Sequence, residues 1–494
     1  MAPIPNDVVF ILAIVTVYLL VVLGVGQYAA RQTGNSREDY LMASRSFGTL
    51  ILLAALFATN MSAVTMIGAP ALAYNIGPNA LGFFVGLFPF LFSVLMMTSG
   101  YRIWLVGKKF GHITPGQVVN HRWNSKYLGL LVTGLFMFWT VPYLLVGVQG
   151  AGIVFEALTD GVIPYWAGGL TIVAIVFTYV YSGGMRGTGW TNAFQGAFFL
   201  VLLLAFATLI PLRLGGFEAA TQASLQVNPD LVNRANIPTL QPKEYFSVGI
   251  LVSLETFILP HLFMRYMTGN SVRELKQTAV VYPVAIVLSW VPAVLIGFWG
   301  VGQFPDIANT DFILPMLINE TFPAWVVGLA LAGILAAMMS TLDGQSLTLG
   351  TMFTEDILRP FTDITERREV LVTRGFILLL LVLAWVGSLL TRDSVINTTI
   401  FAFTGYALMF FPIVSAFYSE RVTKYASGAG LLVGFFGHWA FELGVIPQTL
   451  TLGFLQVIPL LVVQLVVMIV VTAATPKPKE DRIEEYRELF DGTW

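Results

Sequence analysis

The chain has 494 residues, of which 56% are hydrophobic and only 11% charged, whereas soluble domains carry roughly 25% charged residues. That composition places it in a lipid bilayer, and a net charge of −2 leaves no basic surface for a nucleic-acid partner. With no cysteine, disulfides, thiolate metal sites and cysteine nucleophiles are excluded, and no G-x-x-x-x-G-K-[ST] run offers a nucleotide site.

Runs of about 20 mostly apolar residues, the length a bilayer span needs, recur from end to end. They predict an all-α membrane protein of thirteen helices near 8–30, 49–74, 82–106, 128–158, 165–182, 191–212, 247–267, 279–301, 324–353, 375–391, 399–418, 429–446 and 453–474. Met1 to Asp7 lacks basic residues and the apolar run after it is long enough to span, so the first helix is expected to stay rather than be cleaved as a signal.

The second span reads Ala58-Thr59-Asn60-Met61-Ser62-Ala63-Val64-Thr65, with Gly68 and Pro70 following. Thr59, Asn60 and Ser62 compete with the helical ladder for backbone groups. Polar interruption followed by helix breakers marks a discontinuous transporter helix whose freed carbonyls coordinate an ion. The alternative is a helix whose small residues pack closely against neighbours. In the fourth span Trp139, Pro142, Tyr143, Gln149 and Gly150 combine a kink, a phenol and an amide, readable as packing or as solute contact.

The outer segment Arg213–Tyr245 is long, polar and expected to include a short surface helix. The seventh span, Val252-Ser253-Leu254-Glu255-Thr256 through Pro260-His261 to Arg265, carries an acid mid-membrane and a proline that disrupts the ladder. It stands five spans after the other interrupted helix, so an inverted repeat of spans two to six and seven to eleven would make the two breaks equivalent. His261 and Arg265 have two readings. In one, Arg265 snorkels to the interface and His261 makes a local hydrogen bond. In the other, the pair attracts an anionic solute or closes an inner gate. Further along, Asn319-Glu320-Thr321 fits a glycosylation sequon, meaningful only in a eukaryotic secretory pathway.

The ninth span carries Ser340 and Thr341 side by side in otherwise apolar sequence, two residues before Asp343. Such groups are costly in lipid unless they face protein, water or an ion, and neutral hydroxyl oxygens suit a hard, releasable cation such as sodium. The tail 475–494 is charged, with a short helix expected over Asp481–Leu489. Basic residues crowd one side, from Arg31, Arg37 and Arg45 through Lys108, Lys109 and Arg122 to Arg421, Lys424 and the tail. The other side holds only Arg213, Arg234, Lys243 and Arg392, which sets the N-terminus outside and the C-terminus in the cytosol.

Ala336-Ala337-Met338-Met339-Ser340-Thr341 with Thr354-Glu355-Asp356 resembles the sodium-binding helix of the sodium/solute symporter family. Ala58 to Ser62, Ser182-Gly183-Gly184 leading to Trp190-Thr191-Asn192, and Pro260-His261 with Arg265 are similar to further family signatures, the last echoing bacterial proline and pantothenate permeases. The resemblance implies a leucine-transporter-like inverted repeat of five plus five helices with extra N- and C-terminal helices. Its parts would be a first helix and loop over 1–48, a first core repeat over 49–212, an outer loop over 213–246, a second repeat over 247–418, two added helices over 419–474 and the tail.

It also implies one sodium, as coupling ion and without an organic cofactor, on the carbonyls of Ala58, Met61 and Ala337 and the hydroxyls of Ser340 and Thr341. The implied solute pocket is lined by Val64, Thr65, Tyr143, Val252, Glu255 and Thr256. Many relatives carry acids where Asn60 and Asn192 stand, and Asp343 occupies a position that is small or hydroxylic in some. These three are therefore candidates for altered coupling, putting a second sodium in doubt and leaving open a proton-linked variant, a cationic solute group, or an Asp343 that simply pairs within the bundle.

The expected function is sodium-coupled symport of a small organic solute by alternating access, by a monomer in the cell membrane. The solute is a monocarboxylate or pantothenate, with a proline-like amino acid as the alternative. A membrane sensor would carry an appended signalling domain, a channel would show repeated filter loops, and an enzyme would need a catalytic constellation that does not converge here.

Overall fold

A computed structural model describes residues 5–32, 37–233, 241–391 and 394–491. Arg234 and Arg392, counted above on the outer side, lie outside them. Among the described residues the structure is helical, with one isolated parallel bridge between Phe47 and Gly269.

Nine helices are long and apolar enough to cross a bilayer, and two bent pairs bring the number to eleven among the described residues. In chain order the elements are α1 (Asn6–Gln32), the bent pair α2 (Thr49–Asn60) and α3 (Val64–Ala80), α4 (Gly82–Phe110), α5 (Lys126–Leu158) and α6 (Tyr165–Arg213). Next come the surface helix α7 (Phe217–Val227) and the bent pair α8 (Pro242–Ile258) and α9 (Pro260–Tyr266). They are followed by α10 (Val272–Gln303), α11 (Ala324–Phe361), α12 (Glu366–Leu390) and α13 (Val395–Tyr418). The chain closes with α14 (Lys424–Glu442), α15 (Val457–Ala474) and the tail helix α16 (Glu480–Phe490).

Two local features separate this set from the thirteen expected spans. The stretches 165–182 and 191–212 run together in α6, whose 49 residues at about 1.5 Å each are far longer than one bilayer. They are divided at Gly184, where φ is 50° and ψ −141°; a β-carbon there would press on the Tyr40 ring, so glycine is required. The stretch 429–446 lies in α14, a helix of 19 residues that is not among those apolar enough to qualify on its own.

Both breaks have local causes. Met61 leaves the helix with ψ 119°, and the Ser62 hydroxyl accepts the Val64 N–H at 3.1 Å, restarting the chain as α3 after a 58° bend. Leu259, held extended (ψ 126°) by the proline after it, turns the chain by 57°. Pro260 then begins α9, where its missing N–H costs nothing. Phe257 has its carbonyl bonded by the Tyr266 hydroxyl at 3.3 Å. The helix α11 packs against α6, α1, α5 and α2, so the segment carrying Ser340 and Thr341 lies at the centre of the bundle.

Candidate functional site

The broken end of α2 faces α11 with its carbonyls. Ser340 donates from Oγ to the Ala58 carbonyl at 2.7 Å and to its own-turn Ala337 carbonyl at 2.9 Å. Thr341 donates from Oγ1 to the carbonyls of Thr59 and Met61, both at 3.0 Å, and to Ala337 at 3.3 Å. Both hydroxyls are buried. All five residues expected at the ion thus converge, and the Thr59 carbonyl joins them. Sequence reasoning missed Thr59 because its polar side chain drew attention away from its backbone. A hydroxyl carries lone pairs as well as a proton; rotating both O–H groups away would leave a set of neutral oxygens, the donor chemistry a hard monovalent cation takes.

Close approach requires small residues around this junction. A β-carbon on Gly344 would come within 2.7 Å of the Thr59 methyl, and one on Gly196 within 2.9 Å of the Ala58 β-carbon. On α5, Gly150 similarly faces Ala63 and Met338.

One turn further along α11, Asp343 is fully buried. Its Oδ2 accepts the Tyr179 hydroxyl at 3.0 Å and its Oδ1 accepts Asn192 Nδ2 at 3.2 Å. Arg265 Nη2 lies 3.9 Å from Oδ1 and donates to the Thr188 hydroxyl at 3.3 Å. Asn192 Nδ2 also donates to the Ser340 carbonyl at 3.2 Å and the Thr59 hydroxyl at 2.8 Å, tying this cluster to the junction of α2 and α11.

Two expectations are corrected here. Arg265 does not snorkel: it is 1% exposed, because a buried carboxylate on α11 holds it inside. His261 makes no local hydrogen bond among the described residues; it is sealed in the core, its ring 6.3 Å from that of Tyr143. Asp343 pairs within the bundle, as one reading held. Asn60 does not join Asn192 and Asp343; it lies beside the Tyr282 hydroxyl. Tyr179 and Thr188 were missed, since nothing in the sequence marks either as a partner of a residue more than 70 positions away.

The expected solute residues lie on the two broken pairs, Val64 and Thr65 on α3 and Val252, Glu255 and Thr256 on α8, with Tyr143 on α5. Val64 and Val252 line a cavity of about 230 Å³ with Phe83, Phe84, Ile396 and Phe403. Phe403 meets Tyr143 edge-on at 5.1 Å, and the Tyr143 hydroxyl lies beside Ser62. Thr65 donates to the Met61 sulfur at 3.4 Å. Glu255, one turn along from Val252, accepts the Thr256 hydroxyl at 2.6 Å on Oε1. The interesting polar residue of α5, Gln149, instead bonds the Thr391 carbonyl at 3.0 Å.

The face opposite α7 is cross-braced. Arg37 pairs with Glu355 and, at 2.7 Å, with Glu369. Asp356 accepts hydroxyls from Thr114 and Thr133, each at 2.6 Å. On the same face α16 docks through Tyr486, whose hydroxyl is 3.3 Å from His121 Nδ1. The surface helix expected within Arg213–Tyr245 is α7, and the expected tail helix is α16.

The family model of the sodium:solute symporter family matches residues 40–434. The chain is 26% identical to a sodium/proline symporter of Haemophilus influenzae, over 95% of this chain and 96% of that one. It is 25% identical to a sodium/pantothenate symporter of Escherichia coli, over 92% and 94%. A monocarboxylate transport permease of Rhizobium johnstonii is 26% identical, over 71% and 72%. Among solved structures, a Na+-coupled sialic acid symporter in a substrate-bound, outward-open state superposes with a TM-score of 0.79 at 17% identity, covering 95% of this chain and 99% of that one. A nucleobase-cation-symport-1 transporter in a closed conformation gives 0.59 at 14% identity, covering 92% and 99%. The architecture is therefore the leucine-transporter-like one that the sequence resemblance implied, in a multi-pass membrane transporter. The chain belongs to the sodium:solute symporter family.

Proposed function

We propose that the protein carries a small carboxylate-bearing solute into the cell together with sodium, with the ion seated between α2 and α11. The observation that carries this reading is the meeting of the Ser340 and Thr341 hydroxyls with the carbonyls of Ala58, Thr59 and Met61 across a helix break. Carbonyls of Ala58, Met61 and Ala337 and the two hydroxyls hold the ion, with the Thr59 carbonyl in reach. Because the oxygens come from separate helices, sodium binds tightly only when those helices are close. An ion with such differential affinity shifts the conformational equilibrium, which is the thermodynamic content of coupling.

The solute occupies the region of Val64, Thr65, Tyr143, Val252, Glu255 and Thr256. Relatives named for proline, pantothenate and monocarboxylates support a solute of that kind. The cavity at Val64 and Val252, about 230 Å³, lies below the roughly 300–1,000 Å³ of drug-sized sites, which favours a short monocarboxylate or proline-sized amino acid over pantothenate. Asp343 and Arg265 close the path between the ion junction and the face braced by Glu355. That face is cytosolic, with the N-terminus outside, the protomer works alone, and 49–212 and 247–418 are the repeats that rock against each other.

Uptake of labelled proline, pyruvate and pantothenate into proteoliposomes, with and without an inward sodium gradient, tests this reading. Sodium-driven accumulation of one of them is expected. Accumulation of the same size under a choline gradient would contradict it.

A further inference from the structure

We propose that Glu255 docks a protonated amine, so that the solute is a small amino or imino acid rather than a plain carboxylate. This rests on the reading above that the pocket beside the broken helices is the solute site.

Glu255 is 1% exposed. Its Oε1 accepts the Thr256 hydroxyl at 2.6 Å, while Oε2 has no hydrogen-bond partner among the described residues. A buried carboxylate left half-bonded is unfavourable until a cation or a proton meets it. The surroundings discriminate between cations. Tyr143, Tyr266, Tyr282 and Tyr406 all lie within electrostatic reach of this carboxylate. Three of their hydroxyls are already engaged: Tyr406 with Thr140, Tyr266 with the Phe257 carbonyl, and Tyr143 beside Ser62. The fourth, on Tyr282, has no hydrogen-bond partner among the described residues. Sodium needs several oxygens at once, whereas an organic ammonium is satisfied by one carboxylate and aromatic rings.

Tyr143 also neighbours a potential donor. His261, also 1% exposed, has neither ring nitrogen bonded among the described residues, and its ring lies 6.3 Å from Tyr143. A neutral imidazole can give one N–H to a carboxylate. An acceptor at Glu255 and a donor at His261, both neighbours of Tyr143, offer partners for the two ends of a zwitterion.

The test uses near-isosteric probes on the purified full-length protein: L-alanine against lactate, and L-proline against cyclopentanecarboxylate, followed by sodium-dependent thermal shift. The amine-bearing member of at least one pair is expected to stabilise the protein. Glu255→Gln is expected to weaken that response about tenfold or more, the size of a lost hydrogen bond to a charged group. The stabilisation by sodium alone is expected to persist in that variant, which shows that it is folded. Equal responses to the deaminated probes, no response to either amine, or an amine response intact in Glu255→Gln would each overturn the proposal. None of these touches sodium coupling, whose own failure would show as a wild-type protein that sodium alone does not stabilise.

Discussion

The Asp343 carboxylate and the Arg265 guanidinium lie 3.9 Å apart in the centre of the bundle, both sealed from solvent and joined through Asn192 to the carbonyl of Ser340. The pair bridges the second broken helix to the helix that carries Ser340 and Thr341. Removing one partner strands the other charge, a penalty of about 3–5 kcal/mol in buried pairs. Asp343→Asn and Arg265→Met are each expected to lower the melting temperature sharply and to abolish sodium-driven uptake. The double variant is expected to recover much of the stability but not the uptake. A double variant no more stable than either single one would show that the pair does not act as a unit.

Gly344 packs against Thr59 so closely that a β-carbon would come within 2.7 Å of its methyl. Gly344→Ala is therefore expected to push α2 from α11, at an overpacking cost of about 1–3 kcal/mol. The sodium concentration needed for half-maximal thermal stabilisation should rise, while the response to solute at saturating sodium stays. An unchanged sodium midpoint would contradict the close-approach argument.

Filling the apolar cavity separates solute from ion. Val64 and Val252 line it on opposite broken helices, so Val252→Phe is expected to reduce solute binding tenfold or more, by the lost contacts and displaced volume of a small ligand, about 1.4 kcal/mol per tenfold. Sodium-only stabilisation should be retained. Loss of both responses together would place the solute elsewhere.

The tail helix docks on His121, whose ring meets that of His112 at 4.8 Å, both outside the membrane spans. Burial first, then the neighbouring His121 and the cations Arg45 and Arg482, push His112 down to about 4; burial and Arg482 also lower His121. Depressed histidines keep the docked state short of protons relative to the undocked one. Docking is therefore fully favoured above the ordinary histidine value near 6.5 and weakens as pH falls from there toward about 4. The chain has no cysteine, so a spin label at Glu488→Cys reports α16 alone. Its mobility should rise between about pH 7.5 and 5 and should not in a His112→Phe, His121→Phe background; a pH-independent wild-type signal would contradict this.

Much of this site is legible in the chain because its chemistry is local. Ser62 and Gly68 mark one break and Pro260 the other, while two hydroxyls in an apolar run mark the part of α11 that meets the first break. What stays hidden depends on distance in sequence. Arg265 and Asp343 are each readable as odd, but only the fold brings α9 against α11, so the arginine reads as an interfacial residue until its partner is seen. The Thr59 carbonyl is hidden for a different reason: backbone groups have no sequence signature, and which of them a break frees depends on where the chain leaves the helix, here at Met61. The run Ser182-Gly183-Gly184 is visible as a signature, yet its role, a left-handed turn under Tyr40 that divides a 49-residue helix, is purely geometric.

The central claim is that Ser340 and Thr341 bind the coupling ion together with the carbonyls of α2, and sodium titration of the wild type against Ser340→Ala, Thr341→Ala and the double variant tests it most directly. Losing one hydroxyl ligand to a charged group is worth about 1.5–3 kcal/mol, so each single variant should need at least about tenfold more sodium for half-maximal stabilisation and uptake, and the double variant should show neither. A double variant that responds to sodium as the wild type does would contradict the assignment.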